Sequence, residues 1–346
     1  MRTIKRVIIF LLAFAMLNGL LTFALSSPSE VKLRVGAFQQ GDENALILGH
    51  SLSRDGIDPR YLNDEDHKVY NMSFPIILQM FEPILKEMQQ ERPIEKLYIE
   101  MAYPYYLEEE YDSHGGISYD SRFAGYMLKH DPVRAVKLLS QEKFTELLFP
   151  YHLTAWTLRS IPRTVRNKLS AQYRSNDAAI LDEVIKNQEV KYLGQGFVGR
   201  YSDVGEEFNQ VGTPFEPEEI VPAAREDFKN LVNYCRENGI EVVAFACAVP
   251  PDRLKSEPFD QVHGFYQELC EPLGVPLYDM NYLKWENLPR DAEDFQDLNG
   301  HAMADFAARQ AQMLHTVETS DDPQQYFAED YQQVLDGICE YEEKTE

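Results

Sequence analysis

A chain of 346 residues with 33 basic and 57 acidic side chains carries a formal net charge of −24. Such a field repels phosphate backbones, so nucleic acid is excluded as an expected partner. A hydrophobic content of 44% and 20 tyrosines mark a folded chain, long enough for one large core or two modest ones. The eight histidines show no metal-ligand spacing, and neither a metal nor another cofactor is expected. Cys235, Cys247, Cys270 and Cys339 show no paired spacing either. Cys247 lies in an apolar run and reads as a small buried hydrophobe, while one disulfide among the other three stays open.

Arg2, Lys5 and Arg6 precede an uncharged run from Val7 to Leu25. As a helix rising about 1.5 Å per residue, the run nearly crosses a hydrocarbon core of about 30 Å. The basic flank stays cytoplasmic, which places everything after Ser26 outside. The run exceeds a usual signal core and favours a retained single-pass anchor. A secreted product cleaved near Ala24, in FALSS, is the alternative. No cysteine stands near residue 25, which excludes a lipid-modified one.

Residues 27 to 44 read as a polar linker, and ALIL (45 to 48) as a short buried strand. KVYNMS (68 to 73) is a second strand, followed by a helical pattern over 74 to 90 that Pro83 bends or interrupts. IEKLYIEMA (94 to 102) is strand-like. Residues 217 to 239 form an amphipathic helix stopped by Gly239, IEVVAFACAV (240 to 249) a strand covered on both faces, and VPLYDM (275 to 280) another strand. A last core helix spans 302 to 317. This strand–helix rhythm predicts an α/β fold with a doubly wound, mostly parallel sheet.

Between these blocks, residues 103 to 216 break the rhythm and read as a large insertion after the third strand, laid over one edge of the sheet. It is rich in tyrosine and interrupted by Gly115, Gly116, Gly194, Gly196, Gly199, Gly205 and Gly212. Its stretch 153 to 175 carries Arg159, Arg163, Arg166, Lys168 and Arg174 with no acid. That stretch is a solvated basic face or a docking patch for a membrane, a polyanionic glycan or a partner. The expected organisation is therefore an anchor or signal segment (1–26), the linker (27–44), an α/β domain (45–317) containing the insertion, and an acidic, partly helical tail (318–346).

Chemistry concentrates at two places far apart in the chain. In ALILGHSL, Gly49 permits a tight turn that sets Ser51 at the carboxyl end of the first strand, where open α/β sheets bind ligands. A serine hydroxyl needs a base to become nucleophilic. In DFQDLNGHAMADF, Asp297 and His301 fall in a polar loop just before the last helix. An adjacent carboxylate fixes an imidazole's tautomer and stabilises its cation. In a doubly wound sheet both loops open on the same side, so Ser51 and His301 are expected to meet. Ser51 as a helix N-cap, and Asp297 as a cap for the last helix, are the structural alternatives.

GHSL followed by SRDGIDP, then VYNMS, then a late D-x-x-G-H before a helix, resembles the SGNH/GDSL hydrolase superfamily. It is most similar to its membrane-anchored members in cell-envelope acyl transfer, such as the D-alanyl transfer protein of teichoic acids and the alginate O-acetylation proteins. The resemblance covers roughly residues 40 to 102 and 217 to 315. It implies a flavodoxin-like sheet, Ser51 as nucleophile, His301 as base and Asp297 as its orienting partner. It also implies an oxyanion hole from the Ser51 amide, a glycine (Gly49) and an asparagine, for which Asn71 is the nearby candidate. A cell-envelope glycan or polymer as substrate and a membrane-bound O-acyltransferase as partner are implied likewise. Three departures stand out: His50 replaces the usual aspartate, Asp297 and His301 are four rather than three apart, and EMAYP (100 to 104) stands where a G-x-N-D block belongs. Asp294 and Asn299 are the neighbouring alternatives to Asp297, Asn71 reads equally as a turn residue, and His50, Glu100 and His263 are further polar candidates for the crevice. Two functions follow as expectations: a serine esterase or O-acyltransferase working through an acyl-serine, and a non-catalytic envelope scaffold or glycan-binding protein.

Overall fold

Four consecutive buried residues, Ala45–Leu48 (β1), form an inner strand of a sheet and alternate between its two faces. Leu46 and Leu48 point into one core, Ala45 and Ile47 into the other. The computed structural model describes residues 2–26, 28–111, 121–141, 155–176, 180–181, 185, 190–201 and 214–345. Beside β1 lie Val69–Asn71 (β2) and Lys96–Glu100 (β3), followed outward by Glu241–Ala246 (β6) and Leu277–Asp279 (β7), all parallel. Between β3 and β6 in sequence, Val190–Gly194 (β4) and Phe197–Arg200 (β5) form a separate antiparallel hairpin. The sheet order β2-β1-β3-β6-β7 is compatible with a doubly wound fold, and it reverses direction between β1 and β3.

Register carries the two cores across the sheet. Ile47, Tyr98 and Val243 are successive partners facing one side, and Leu48, Ile99 and Ala244 face the other. The first side is covered by Ala304–Glu318, through Phe306, Ala307, Ala311 and Leu314. The second is covered by Phe81–Glu91, Pro222–Glu237 and Phe259–Cys270, through residues such as Leu85, Phe228 and Phe265. Burial on both faces is why these strands read as continuous apolar runs. Gly239, at φ +70°, ends the helix before β6 as its position predicts.

Two expectations need correction. Residues 30 to 40 are no linker: Glu30–Gln40 is a helix, capped by Ser29, with Val31, Leu33, Arg34 and Phe38 fully buried. Arg34 pairs with the Glu30 carboxylate one turn earlier (3.2 Å) and donates to the carbonyls of Ser73 (2.8 Å) and Asn71. Pro83 neither bends nor interrupts its helix. It falls in the first turn of Phe81–Glu91, where backbone N–H groups have no intrahelical partner to lose. The acidic tail is partly helical as expected, and its helix Tyr331–Thr345 buries Val334 and Ile338 fully. All four cysteines are free thiols, three buried and Cys339 exposed.

The insertion is tied to the sheet at its root, where Leu107 bridges Ile220 and the Val221 amide donates to the Tyr106 carbonyl at 2.7 Å. Phe123 and Met127 of Ser121–His130, with Ala135 and Leu138 of Pro132–Gln141, enter the larger core. The β4–β5 hairpin sits by the β2 edge, the Asn71 amide donating to the Gln195 carbonyl at 2.8 Å. Gly115, Gly116, Gly205, Gly212 and residues 153 and 154 of the basic stretch lie outside the described residues. Arg159, Arg163, Arg166 and Arg174 are exposed, and Lys168 donates to the Phe23 carbonyl and the Ser26 hydroxyl, both at 2.9 Å. The N-terminal helix Arg2–Leu25 includes Ile4–Leu25, with a mean hydropathy of 2.4. By length and composition it could cross a membrane, as an anchor or a signal sequence would.

Candidate active site

Where the sheet order reverses, the carboxyl ends of β1 and β3 open a crevice, and Ser51 stands on its rim. After β1 the chain turns through Gly49 and His50 into the helix Ser51–Gly56. A methyl group on Gly49 would run into Ser53 Oγ and the Glu100 carboxylate, so close packing requires the glycine. Glu100, at the end of β3 and 1% exposed, accepts from the His50 amide (2.5 Å) and from Ser53 Oγ (2.7 Å). Burial raises the Glu100 carboxyl above its ordinary value, against the lowering effect of those donors.

The helix end is fixed as firmly. Gln310, fully buried in the last core helix, donates to the Gly56 carbonyl (2.7 Å) and accepts from the Ala248 amide (2.5 Å). Asp55 pairs with Arg54 (2.7 Å) and with Arg200 of the β4–β5 hairpin (2.6 Å). Burial pushes the Asp55 carboxyl up, but the two guanidinium groups outweigh it and hold it below the carboxylate norm.

Asn71 does not serve as an oxyanion donor. Its two amide hydrogens go to the carbonyls of Ser53 (2.8 Å) and Ile57 (3.1 Å), and its oxygen accepts from the Ser73 amide (3.0 Å). It is fully buried behind the Ser51–Gly56 helix and braces it. Gly49 supplies closeness rather than a contact with ligand, its carbonyl accepting from the Phe74 amide at 3.1 Å.

The second half of the site comes from the loop after β7. Phe295 and Ala302 form an antiparallel bridge, and the Gln296 amide donates to the His301 carbonyl at 2.8 Å. The turn closes through Gly300 at φ +97°, whose amide reaches Asp297 Oδ1 at 3.2 Å. The spacing of four residues therefore folds back on itself. Asp297 Oδ2 lies 2.7 Å from His301 Nδ1, and His301 Nε2 lies 2.9 Å from Ser51 Oγ. Residues 250 apart in sequence thus form one relay. Burial raises the Asp297 carboxyl, but the hydrogen bond and charge of His301 more than offset this, and it stays ionised below its ordinary range.

The neighbouring alternatives fall away. Asp294 caps the short turn at Asp291 and pairs with Arg309. The Asn299 carbonyl accepts from Arg253 at 2.8 Å. His263 pairs with Asp279 at 2.9 Å and stacks on Tyr282, away from the crevice. Neither Ser51 nor Asp297 caps a long helix: Met303 is the N-cap of the last one.

His50 is closer to the chemistry than a general crevice residue. Its Nδ1 lies 2.7 Å from Ser51 Oγ, and its ring meets Tyr105 edge-on at 5.6 Å. Burial, then the charges of His301 and Arg54, pull its imidazole down to about 4, so it is neutral at pH 7. Ser51, His50 and His301 open on a cavity of about 260 Å³, whose walls include Tyr103, Arg253 and Phe259. Arg253 is held by Glu257 (2.9 Å) and the Tyr103 hydroxyl (2.9 Å). The sequence reading missed these walls. Their one available signal was position: Tyr103 follows β3 and Arg253 follows β6, at the strand ends that face the crevice. Among the described residues no group of His, Cys, Asp and Glu is arranged to hold a metal.

Compared with known protein families, with curated proteins and with solved structures, the chain matches none of them.

Proposed function

We propose that the protein is a serine esterase or O-acyltransferase of the SGNH type, acting outside the cytoplasm on a cell-envelope glycan or polymer. The observation that carries this reading is the unbroken relay from Asp297 through His301 to Ser51 Oγ. Asp297 holds the proton on His301 Nδ1, which leaves Nε2 to accept the Ser51 hydroxyl proton as Oγ attacks an acyl carbonyl. The tetrahedral oxyanion would be met by the Ser51 amide at the helix start, since Asn71 has no hydrogen left to give. The acyl-serine then passes its acyl group to a sugar hydroxyl or to water, with His301 as base. The N-terminal apolar helix would hold this chemistry at a membrane, beside a membrane-bound O-acyltransferase that delivers the acyl group.

The spent Asn71 amide favours a second reading, a non-catalytic envelope scaffold or glycan-binding protein that keeps the relay without a full oxyanion hole. Fluorophosphonate labelling of the purified protein separates the two. Label that appears on the wild type and is lost in Ser51→Ala supports the enzyme. A folded wild type that takes no label supports the scaffold.

A further inference from the structure

Ser51 Oγ is contacted by two imidazoles, and the relay accounts for only one of them. His301 Nε2 stands at 2.9 Å and His50 Nδ1 at 2.7 Å. A serine hydroxyl has one hydrogen to donate and lone pairs to accept with. With His301 Nδ1 donating to Asp297, its Nε2 is bare and takes the serine hydrogen. The second contact can then be satisfied only by a hydrogen on His50 Nδ1.

We propose that His50 is a second catalytic imidazole, a neutral Nδ1–H donor to Ser51 Oγ that favours the oxygen's negative charge each time it develops. This deepens the esterase or acyltransferase reading and rests on it. In acylation the hydroxyl proton passes to His301 Nε2, Oγ bonds to the acyl carbon, and the leaving group departs with that proton. In deacylation the incoming hydroxyl gives its proton to His301, its oxygen bonds to the acyl carbon, and the C–Oγ bond breaks with its electron pair going to Oγ. His301 then returns the proton to Oγ. In both directions His50 keeps its own proton and supplies a hydrogen bond to the oxygen that carries charge.

The surroundings fit a group held for this purpose. The His50 amide is fastened to Glu100 at 2.5 Å and its ring is backed by Tyr105, which leaves little freedom for Nδ1 to leave Oγ. A donor fixed before the reaction needs no reorganisation when charge develops. The same hydrogen bond makes Oγ a better leaving group from the acyl-serine, which suits transfer as well as hydrolysis.

Two measurements on the full chain in detergent test this. Nitrogen-15 NMR of histidine-labelled wild type should show His50 protonated at Nδ1 and bare at Nε2. A bare Nδ1 overturns the proposal, since His50 would then compete with His301 for the serine proton. Fluorophosphonate labelling rates should fall about 10²-fold in His50→Leu, the typical cost of losing one preorganised donor. They should recover to within about 10-fold of wild type in His50→Asn, whose side-chain amide places an N–H near the Nδ1 position. Wild-type rates in a folded His50→Leu overturn the role of His50 alone. A wild type that takes no label overturns the enzyme reading, and this role with it.

Discussion

The two halves of the candidate site are fixed by different means. The Ser51 turn is locked from behind by three buried polar residues on two strands: Glu100 from β3, Asn71 from β2 and Ser73 just beyond it, all essentially without solvent exposure. The base loop is locked mainly by itself, through the Phe295–Ala302 bridge, the Asp297–Gly300 turn and the Asp297–His301 contact. His301 remains 18% exposed at its side chain. Disturbing the first half should therefore cost stability and activity together, whereas disturbing the second should cost activity more than stability.

The largest effect is expected from Asp297→Asn, which keeps the shape of the loop but favours the wrong His301 tautomer. The rate of fluorophosphonate labelling should drop by about 10⁴-fold, with the urea midpoint nearly unchanged. Glu100→Ala should act on the other half. It strands the His50 amide in the interior, at about 1–3 kcal/mol, while Ser53 Oγ keeps Ser73 Oγ and the His50 carbonyl as partners. Urea unfolding should show the loss together with slower labelling, and an unchanged midpoint would mean the turn is not held from β3.

A pH effect comes next. His50 takes a proton near pH 6.5 in the unfolded chain and only near 4 in the fold. Between those values the unfolded state binds more protons, so stability is lost as pH falls, by roughly 1–3 kcal/mol. Chemical denaturation at pH 6.5 and 4.5 should show this slope, and His50→Asn should flatten it. Gly300→Ala comes last, forcing φ +97° on a side-chain residue at a stability cost of about 1–2 kcal/mol. Its labelling rate should fall disproportionately, because the strain lies in the turn that sets His301. A variant that loses stability and keeps its labelling rate would break the contrast between the halves.

Much of the fold was legible because the physics was local. ALIL, the run at 240 to 249 and the helix stopped by Gly239 carry their burial in their own sequence. The helix at Glu30–Gln40 was not legible, because its buried face includes an arginine that, besides Glu30 on the same helix, needs carbonyls around β2. The harmlessness of Pro83 depended on where the helix starts, which single-sequence patterns place poorly. In the site, Ser51, Asp297 and His301 could be picked out by residue type and by position at strand ends. The occupied Asn71 amide and the Tyr103–Arg253 wall are tertiary, set by segments distant in sequence, and the contact of His50 with its neighbour Ser51 depends on a ring orientation that residue type does not show.

The central claim is that Ser51 carries an acyl group during turnover. Brief treatment of the full chain with an activated aryl acetate, acid quenching and peptide mass spectrometry tests it most directly. The account predicts one added acetyl group on Ser51, at much lower occupancy in His301→Gln and absent in Ser51→Ala. Acetyl found on another residue, or ester cleaved at equal rates by wild type and Ser51→Ala, would contradict it.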